Sequence, residues 1–523
     1  MIALVVGLVV LALVALFPAA RSVRADEPET ERPTPRAPLP DARPPLDGGR
    51  VVRGAPRELR AYVVTFSPGD HPFYKFGHNA IWIHDEGKPL SRRDIVYNYG
   101  TFSFEDPSLI PKFFLGRFMY WLSAAGWTGT KRAYKAEGRG IDVQELDLSP
   151  AKKLELQTLL DENLKDENKY YKYDYYRDNC STRVRDMIDR VTGGRVKAAA
   201  GGKGRLTYRQ HTSRLTHDFV SENVLLNLVM GDLIDKPTTE WDESFVPMEF
   251  QKLLRKVTVV GEDGVEHPIV KQEWTEVAAV KPPPPENPPT LWPYFLVFGL
   301  LFGGGFAALG RFGVTKKPMR VAYGIAMAVL ALPIGFFGLF FLAAWAFTDH
   351  AVGYHNENTL LCVPWGWGLV GMGINIARGR VRSAVRAEKL IKFAAGSAIL
   401  ATVAKVLPWF DQGNAMFLLF FVPFWAGAYV GARALAFDWA SAVEAAALAG
   451  ANKKKKKKKK RDRVESTESA AEPSGDDDGA PPADEAATDA PTDAPIDAPA
   501  EPATDDKEKP EKESAKADGD AGE

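Results

Sequence analysis

The sequence predicts an α+β domain that is followed by an all-α bundle of five membrane-spanning helices and a disordered tail. Two observations lead to this prediction. Between about Leu59 and Leu254, short stretches of alternating apolar and polar residues precede helical patterns. Beyond residue 290, long apolar stretches follow one another. The net charge of −1 over 523 residues hides this division, because a lysine run and an acidic tail cancel. No overall basic character points to nucleic acid as a partner.

The N-terminal segment predicts export of the domain that follows. Ile2 to Ala20 is almost uninterruptedly apolar, and Val23-Arg24-Ala25 offers a small-residue site for a signal peptidase. An uncleaved anchor stays open, because no Lys or Arg precedes the apolar run. Residues 1–25 are therefore assigned to a signal peptide or anchor, and residues 26–58 to a linker rich in Pro and Arg.

Residues 59–280 are predicted to form the mixed domain. The candidate strands are Arg60 to Ser67, Asn79 to His84 and Asp94 to Tyr99. The candidate helices are Pro111 to Trp127, Pro150 to Glu167 and Cys180 to Val191. Residues 281–290 are rich in proline and are expected to form a stiff, extended spacer that holds the domain above the membrane.

Residues 291–437 contain five apolar stretches, for each of which ~20 residues suffice to cross a bilayer. They are Leu291 to Leu309, Val321 to Phe347, Leu360 to Ala377, Leu390 to Leu407 and Ala415 to Phe437. Arg and Lys are concentrated after the first, third and fifth stretches, which the positive-inside rule makes cytoplasmic. The soluble domain and the loops Thr348 to Asn358 and Trp409 to Asn414 then lie together on the outer side. Lys405 is expected near an outer end, where it can extend towards the interface.

Residues 438–523 are predicted to be a cytoplasmic lysine run and a disordered acidic tail. The run Lys453 to Lys460 can bind anionic lipid or simply flank the last span, and both interpretations stay open. The tail beyond it is made of Asp, Glu, Ala and Pro, with too few apolar residues to offset the entropy of ordering.

Cys180 is the candidate nucleophile. It follows Asp178 and Asn179, which are suited to cap a helix, so that the thiol lies in the first helical turn. The helix dipole and unpaired N–H groups there are expected to stabilise the thiolate and lower its pKa. A buried structural thiol is the alternative, although polar neighbours make simple core packing less attractive. The second cysteine, Cys362, falls in the membrane region, so no disulfide framework is expected.

His78 is the candidate base, because it stands beside Gly77 at the start of a strand, where rigid structure can position an imidazole. A structural role for His78 is the alternative, and His84 at the far end of the strand is expected at the surface. A third polar group usually orients such an imidazole. Asn98 and, less well suited, Asp94 are the candidates on the next strand.

Three motifs resemble the N-terminal periplasmic domain of the Lnb-type lipoprotein N-acyltransferases. These motifs are Tyr74 to His78, Tyr97 to Phe102 and Asp178 to Arg183. The family is similar to circularly permuted papain-like thiol enzymes, which include the NlpC-type peptidases and lecithin retinol acyltransferase. The resemblance implies a permuted papain-like fold in which Cys180 is the nucleophile, His78 the base and Asn98 the orienting group. It also makes Tyr74, Tyr97 and Arg183 candidates for substrate binding.

The outer loop of the membrane region resembles the same family in a Thr-x-His and Asn-x-Asn pattern. The residues concerned are His350, Asn356 and Asn358, which become candidates for binding a lipid headgroup. Interfacial loops are polar in any case. The aromatic segment Lys112 to Leu122 is expected to serve core packing first, with an acyl-chain groove or a lip resting in the bilayer surface as the alternative. No ligand spacing typical of a metal is present, and no cofactor is expected.

These observations lead to three functional hypotheses. The first is an acyltransferase at the periplasmic face of a bacterial inner membrane, which moves an acyl chain from a phospholipid through a Cys180 thioester to the N-terminal amine of a lipoprotein. The second keeps the nucleophile but makes the enzyme a hydrolase, a papain-like peptidase or amidase of the cell wall. The third is a non-enzymatic membrane scaffold whose cysteine is inert.

Overall fold

The computed structural model describes residues 58–103, 111–112 and 115–468, with side chains up to residue 463. The predicted signal peptide or anchor, the linker up to residue 57 and the tail beyond residue 468 lie outside these residues. The chain divides into two units, Met1–Gly450 and Ala451–Glu523. The soluble domain and the apolar helices both belong to the first unit.

The soluble domain is built on an antiparallel sheet of seven strands in the order β6-β4-β3-β2-β1-β5-β9. Its strands are β1 (Leu59–Phe66), β2 (His78–Asp85), β3 (Asp94–Thr101), β4 (Met119–Gly126), β5 (Ile141–Leu146), β6 (Tyr170–Lys172) and β9 (Val270–Val277). A separate hairpin joins β7 (Thr258–Val260) to β8 (Glu266–Pro268). The three strands that the sequence predicts coincide with β1, β2 and β3, because their alternating patterns match burial on a sheet.

Nine α-helices belong to the described part of the soluble domain. They are α1 (Leu90–Arg93), α2 (Trp127–Ala136), α3 (Pro150–Asn163), α4 (Cys180–Val191), α5 (Arg195–Ala199), α6 (Tyr208–Leu215), α7 (Val220–Val229), α8 (Glu240–Glu243) and α9 (Pro247–Leu254). The predicted helix at Pro150 is confirmed, although it ends earlier. The predicted bounds of α4 are confirmed at both ends, because Asn179 and Thr182 form a capping box at its start.

The two faces of the sheet bury different residues. Ile81 and Ile83 of β2 belong to the apolar core that also contains Val184 and Ile188 of α4. Ala80, one position away on β2, belongs to a smaller cluster on the other face. The helix α4 therefore lies on one face of β2, and residues that alternate with Ile81 point to the opposite face.

The prediction of a helix from Pro111 to Trp127 is wrong. Helical residues occur at Pro111 and Lys112, but Met119–Gly126 forms strand β4 and α2 begins only at Trp127. Tyr120 and Leu122 are buried at alternate positions between β3 and β6, as a strand requires. The dense run of aromatic residues masks this alternation in the sequence.

Beyond the spacer the described chain forms helices α10 (Trp292–Gly313), α11 (Lys317–Phe347), α12 (Gly366–Ala377), α13 (Val381–Val403), α14 (Ala415–Arg433) and α15 (Ala440–Glu468). Within the described residues, three helical segments are long and apolar enough to cross a membrane: Trp292–Gly313, Lys317–Phe347 and Ala415–Arg463. The helix α12 has only 12 residues, and α13 carries several charges in its first turns. Three of the five predicted spans thus meet the length and composition that crossing requires.

The soluble domain is docked on one end of the helical bundle. Leu228 in α7 accepts hydrogen bonds at its carbonyl oxygen from the Nδ2 atoms of Asn356 (2.8 Å) and Asn358 (3.0 Å). Gln412 Nε2 donates to the Met230 carbonyl at 2.9 Å. The loops around Asn356 and Gln412 therefore lie on the same side of the bundle as the soluble domain, as the charge pattern of the sequence predicts.

The lysine run Lys453 to Lys460 lies within α15. The sequence treats the region from residue 438 as a lysine run and a disordered tail, yet residues 440–468 are helical. Alanine and lysine have high helix propensity, and the Ala-rich stretch before the run continues directly into it. The acidic tail beyond Glu468 lies outside the described residues.

Candidate active site

Cys180 begins helix α4 and is almost buried, with 8 % of its surface exposed. The helix start is held in place through Asn179, whose Oδ1 accepts a hydrogen bond from Thr182 N at 2.9 Å and whose Nδ2 donates to the Phe245 carbonyl at 3.0 Å. The backbone N–H groups of Asn79 and Ser181 are directed at the sulfur. The thiol therefore occupies a fixed position that is surrounded by backbone donors.

The expectation of a lowered pKa for Cys180 is wrong. Burial raises the pKa of the thiol, and the backbone N–H groups of Asn79 and Ser181 together with the charge of Arg139 lower it by less than burial raises it. The helix start acts in the direction that the sequence suggests, but removal of water from the sulfur has the larger effect. The resting group is a neutral thiol, so its attack on a carbonyl needs a base.

His78 begins strand β2 and forms a side-chain hydrogen bond with Asn98 on β3. Its Nε2 atom lies 3.3 Å from Asn98 Oδ1, and Asn98 Nδ2 donates to the Val96 carbonyl at 3.3 Å. Because the second contact assigns the amide nitrogen of Asn98, its oxygen faces the imidazole. Nε2 then carries the proton that it donates to Asn98, and Nδ1 has a free lone pair.

The imidazole of His78 lies among aromatic rings. Phe66 and Tyr134 flank it at centroid distances of 5.7 and 6.4 Å. Burial and the nearby charge of Arg139 lower the pKa of His78 to about 4, against the weaker, raising effect of the Asn98 hydrogen bond. The imidazole is therefore neutral at physiological pH, which is the protonation state that a general base requires.

His78 and Cys180 lie at the same end of the sheet, where both are close to Tyr134 and Arg139. Asn79 directs its backbone N–H at the Cys180 sulfur, and its side chain accepts a hydrogen bond from Ser181 Oγ at 2.8 Å. The neighbouring side chain of His78 stacks near Tyr134. Among the described residues, no hydrogen bond joins the imidazole to the sulfur. Proton transfer requires the imidazole and the sulfur to come within hydrogen-bond distance of each other, directly or through one water.

Gly100 leaves room for the thiol at this end of the sheet. It has a φ of +89°, and a Cβ atom at this position would lie 3.6 Å from Cys180 Cβ and 3.5 Å from the ring of Tyr173. A side chain here would therefore need a rarely adopted backbone conformation and would fill the space beside the thiol. The motif around Tyr97 that the sequence singles out thus contributes Asn98 and Gly100 to the site.

The three substrate-binding candidates of the soluble domain lie in different surroundings. Tyr97 donates from its hydroxyl to Asp161 Oδ1 at 2.5 Å, on the face of the sheet that α3 covers. Arg183 is paired with Asp178 and lies over the ring of Tyr171 at 4.1 Å. Tyr74 is partly exposed and lies beneath the guanidinium of Arg139. Of the three, Tyr74 is the one that contacts Arg139, whose charge also acts on Cys180 and His78.

Two of the candidates in the loop between α11 and α12, Asn356 and Asn358, connect the soluble domain to the helical bundle. Asn356 and Asn358 are buried, and both donate hydrogen bonds from Nδ2 to the Leu228 carbonyl oxygen. His350 stacks on Tyr175 with ring centroids 6.3 Å apart. The structure thus brings His350 to the soluble domain, whereas Asn356 and Asn358 are engaged in the domain contact.

An aromatic row leads from the membrane loop to the thiol. Tyr175 contacts Tyr173 with ring centroids 5.9 Å apart, and Tyr173 stacks on Tyr120 at 4.1 Å. Tyr173 also borders Gly100. It lies close enough to Cys180 for the charge of a thiolate there to raise the pKa of the Tyr173 hydroxyl. Apolar surface thus connects the sulfur to the end of the bundle, and part of the aromatic segment that the sequence singles out lines it.

Sequence reasoning offered Asp94 as the less suitable alternative to Asn98, and it missed Arg139. Asp94 accepts hydrogen bonds from Trp82 Nε1 at 3.0 Å and contacts His84 Nδ1 at 2.7 Å, so it is the partner of the histidine at the far end of β2. Arg139 acts on both Cys180 and His78 through its charge. Its setting between Gly138 and Gly140 was the signal that could have drawn attention to it.

Comparison with known proteins bears on the soluble domain. Residues 54–214 match the family model of the Lnb N-terminal periplasmic domain. This stretch of the chain is similar to the Lnb N-terminal periplasmic domain. It includes His78, Asn98, Arg139 and Cys180, and the resemblance that the three motifs suggested is confirmed over it. No curated protein and no solved structure matches the chain.

The Lnb domain is followed by apolar helices long enough to cross a membrane, so the chain is a membrane protein with a periplasmic domain. Within the described residues, no group of three or more His, Cys, Asp or Glu side chains is arranged to hold a metal ion.

Proposed function

We propose that this protein is a thiol acyltransferase that moves an acyl chain from a membrane phospholipid to the N-terminal amine of a lipoprotein. Cys180 is the nucleophile, His78 the base and Asn98 the residue that orients the imidazole. The observation that carries the proposal is the hydrogen bond between His78 Nε2 and Asn98 Oδ1. It leaves Nδ1 free to take a proton at the end of the sheet where the thiol lies.

The reaction has two halves. As the imidazole accepts the thiol proton, the Cys180 sulfur attacks the ester carbonyl of the lipid and a thioester forms. The protonated His78 then gives its proton to the departing glycerol oxygen. In the second half, neutral His78 takes a proton from the attacking amine, the new amide bond forms and the proton returns to the sulfur. The backbone N–H groups of Asn79 and Ser181 are the candidate donors to the carbonyl oxygen in the transition state.

A permuted papain-like fold is part of the proposal. In the chain the strand that carries the histidine precedes the helix that carries the cysteine, and the asparagine contacts the imidazole nitrogen. This combination of a thiol at a helix start, a histidine and an asparagine is the arrangement of papain-like enzymes. Five spans, with the tail in the cytoplasm, complete the proposed topology.

The docking of the Lnb domain on the helices favours a lipid substrate. The apolar helix α7 packs Val224, Leu228 and Val229 against the core of the bundle. Phe219, which precedes this helix, and Leu225 within it are about half exposed. The aromatic row from His350 to Tyr173 begins beside this junction and ends at the thiol. A site placed in this way can receive an acyl chain from the bilayer to which both substrates are confined.

The test compares two cysteine variants of the full-length protein in lipid nanodiscs. Cys180→Ala is expected to abolish the acyl-enzyme detected by intact mass spectrometry, whereas Cys362→Ala, which removes the thiol in the bundle, is expected to retain it. His78→Ala is expected to slow formation of the acyl-enzyme at unchanged protein abundance. An acyl mass that persists in Cys180→Ala would refute the proposed nucleophile.

The acceptor is tested separately. Mass spectrometry of lipoprotein N-termini in a strain that lacks the protein is expected to show loss of the N-acyl group. Restoration by the wild type but not by Cys180→Ala supports transfer to the amine. A normal acyl-enzyme with unchanged lipoproteins would indicate hydrolysis instead, because water competes for the same thioester. Full complementation by Cys180→Ala would indicate a scaffold.

A further inference from the structure

The guanidinium of Arg139 is buried and held in one orientation. The residue is 2 % exposed. Its Nε atom donates to the Ser67 carbonyl at 2.7 Å, and its Cζ atom lies 4.5 Å from the ring centre of Tyr134 and 5.0 Å from that of Tyr74. Two rings and one hydrogen bond therefore fix the plane of the group.

The fold leaves space for this side chain. A Cβ atom on Gly69 would lie 3.1 Å from Arg139 Cδ, so a larger residue would press on the arginine. Gly140, next to Arg139, approaches the backbone of Ala279 so closely that an added Cβ would lie 2.9 Å from Ala279 N. Gly69 thus leaves room for the stem of Arg139, and Gly140 lets the adjoining backbone approach Ala279.

One end of the guanidinium lacks a hydrogen-bond partner among the described residues. Within the described part of the chain, no acceptor contacts Arg139 Nη2, although this nitrogen is buried. The carboxylate nearest to the group is that of Glu137, at 3.4 Å from Nη1, and Glu137 is itself largely exposed. An exposed carboxylate at this distance screens the charge only weakly. A buried cation with an open donor is suited to an anionic ligand.

Arg139 lies at the end of the sheet where the reaction is proposed to occur. Phe66 pairs with His78 across β1 and β2, and with Ile141 across β1 and β5. Ser67, which accepts from Arg139, is the next residue along the chain. The charge of Arg139 lowers the pKa of both Cys180 and His78, so it acts on both reacting groups.

We propose that Arg139 binds the phosphate of the acyl donor through Nη2 and so places the donor's ester carbonyl beside Cys180. This inference rests on the proposed acyl transfer and adds the feature by which the donor is selected. A guanidinium presents paired N–H donors that match phosphate oxygens. The glycerol backbone holds phosphate and ester at a limited separation, so anchoring one end positions the other.

The test compares two donors and two arginine variants. Full-length protein in nanodiscs receives either phosphatidylethanolamine or diacylglycerol with the same acyl chains, and the rate of acyl-enzyme formation is followed by intact mass. The wild type is expected to use the phosphate-bearing donor at least about tenfold faster, as one charge-assisted contact implies. Arg139→Gln is expected to lose this preference, whereas Arg132→Gln, at an exposed arginine of the preceding helix α2, is expected to keep it.

Two results would overturn the assignment of Arg139. One is a wild type that uses both donors equally, and the other is an Arg139→Gln variant that keeps the phosphate preference or slows with both donors to the same extent. If Arg139→Gln fails to fold, Arg139→Lys decides the matter. A lysine keeps the charge but not the paired donors, so the preference is expected to fall; an unchanged preference would count against the proposal.

A binding measurement separates this inference from the proposed reaction. In the Cys180→Ala background, dihexanoylphosphatidylethanolamine is expected to bind at least about tenfold more tightly than dihexanoylglycerol. Adding Arg139→Gln is expected to remove the difference. If this holds while the wild type forms no acyl-enzyme, the phosphate site stands and the proposed reaction fails. If Arg139→Gln leaves the difference intact, the phosphate site fails whatever the reaction.

Discussion

The Nε2 atom of His78 lies 3.3 Å from the Oδ1 atom of Asn98, and the amide nitrogen of Asn98 is turned away towards the Val96 carbonyl. The pair joins the first residue of β2 to the middle of β3. It selects the tautomer in which Nδ1 is free, and Nδ1 is the nitrogen through which a neutral imidazole can accept a proton.

Asn98→Ala is expected to lower the rate of acyl-enzyme formation by about tenfold or more, because the imidazole loses the contact that sets its tautomer. The measurement is single-turnover acylation followed by intact mass. Asn168→Ala, at an exposed asparagine, serves as the control and is expected to match the wild type. Equal rates in both variants would count against a positioning role for Asn98.

The rate of acylation is expected to stay high down to about pH 5. His78 can accept a proton only while it is neutral, and burial together with the charge of Arg139 lowers its pKa from 6.5 to about 4. An ordinary histidine would be largely protonated at about pH 5.5. The acidic limb of the pH–rate profile is therefore expected near pH 4. A limb centred near the ordinary value would show that the imidazole is not held as described.

The lowered pKa of His78 also makes the free energy of unfolding depend on pH. Between pH 6.5 and about 4 the unfolded chain binds a proton at His78 that the folded chain does not, so folding is destabilised as the pH falls through this window. His78→Gln is expected to weaken this pH dependence of thermal unfolding. Above pH 6.5 His78 is neutral in both the folded and the unfolded chain, so the stabilisation that is lost at lower pH is fully present there.

Gly100→Ala and Gly193→Ala form a matched pair. Both glycines have positive φ, +89° and +68°, so alanine is expected to cost ~1 kcal/mol or more in either place. Only at Gly100 does the added Cβ meet Cys180, since nothing lies within 4 Å of it at Gly193. Thermal unfolding should therefore change similarly in both variants, whereas the rate of Cys180 alkylation should change only in Gly100→Ala.

Local patterns were enough to predict the part of the fold that carries the site. β1, β2 and β3 are rich in apolar residues because both faces of the sheet are buried, one of them under α4, and the start of α4 follows from the capping residue Asn179. The strand β4 was missed because aromatic residues at adjacent positions, such as Tyr120 and Trp121, hide its alternation. Edge strands such as β9 carry few apolar residues and depend on pairing with a distant partner.

The electrostatics of the site could not be predicted in the same way. The helix start at Cys180 is a local feature, but burial of the thiol depends on elements far apart in the chain, and it outweighs the local effect. Asp94 was a reasonable partner for His78 by spacing alone, and the register of β2 and β3 pairs it with His84 instead. Arg139 comes from a segment that reaches the site only through the order of the strands in the sheet.

The contact between the Lnb domain and the helices is expected to depend on buried amides more than on exposed ion pairs. Asn358 is fully buried; its Nδ2 donates to Leu228 and its Oδ1 accepts from Asn414 Nδ2 at 3.0 Å. Asn358→Ala leaves the Asn414 amide without this acceptor, which costs ~1–3 kcal/mol. Lys236→Ala removes an exposed pair with Asp411 that contributes ~0–1 kcal/mol. Thermal unfolding of the two variants measures the difference.

Two rates measured in Asn358→Ala distinguish delivery of the lipid from the reactivity of the Cys180 thiol. If the domain receives its donor from the bilayer through the junction with the helices, Asn358→Ala is expected to slow acylation by membrane phospholipid several-fold. It is expected to leave alkylation of Cys180 by a small soluble reagent unchanged, because the thiol and its backbone donors lie within the Lnb domain. Lys236→Ala should change neither rate. A parallel loss of both reactions in Asn358→Ala would mean that the contact supports the fold of the site itself rather than access of the lipid to it.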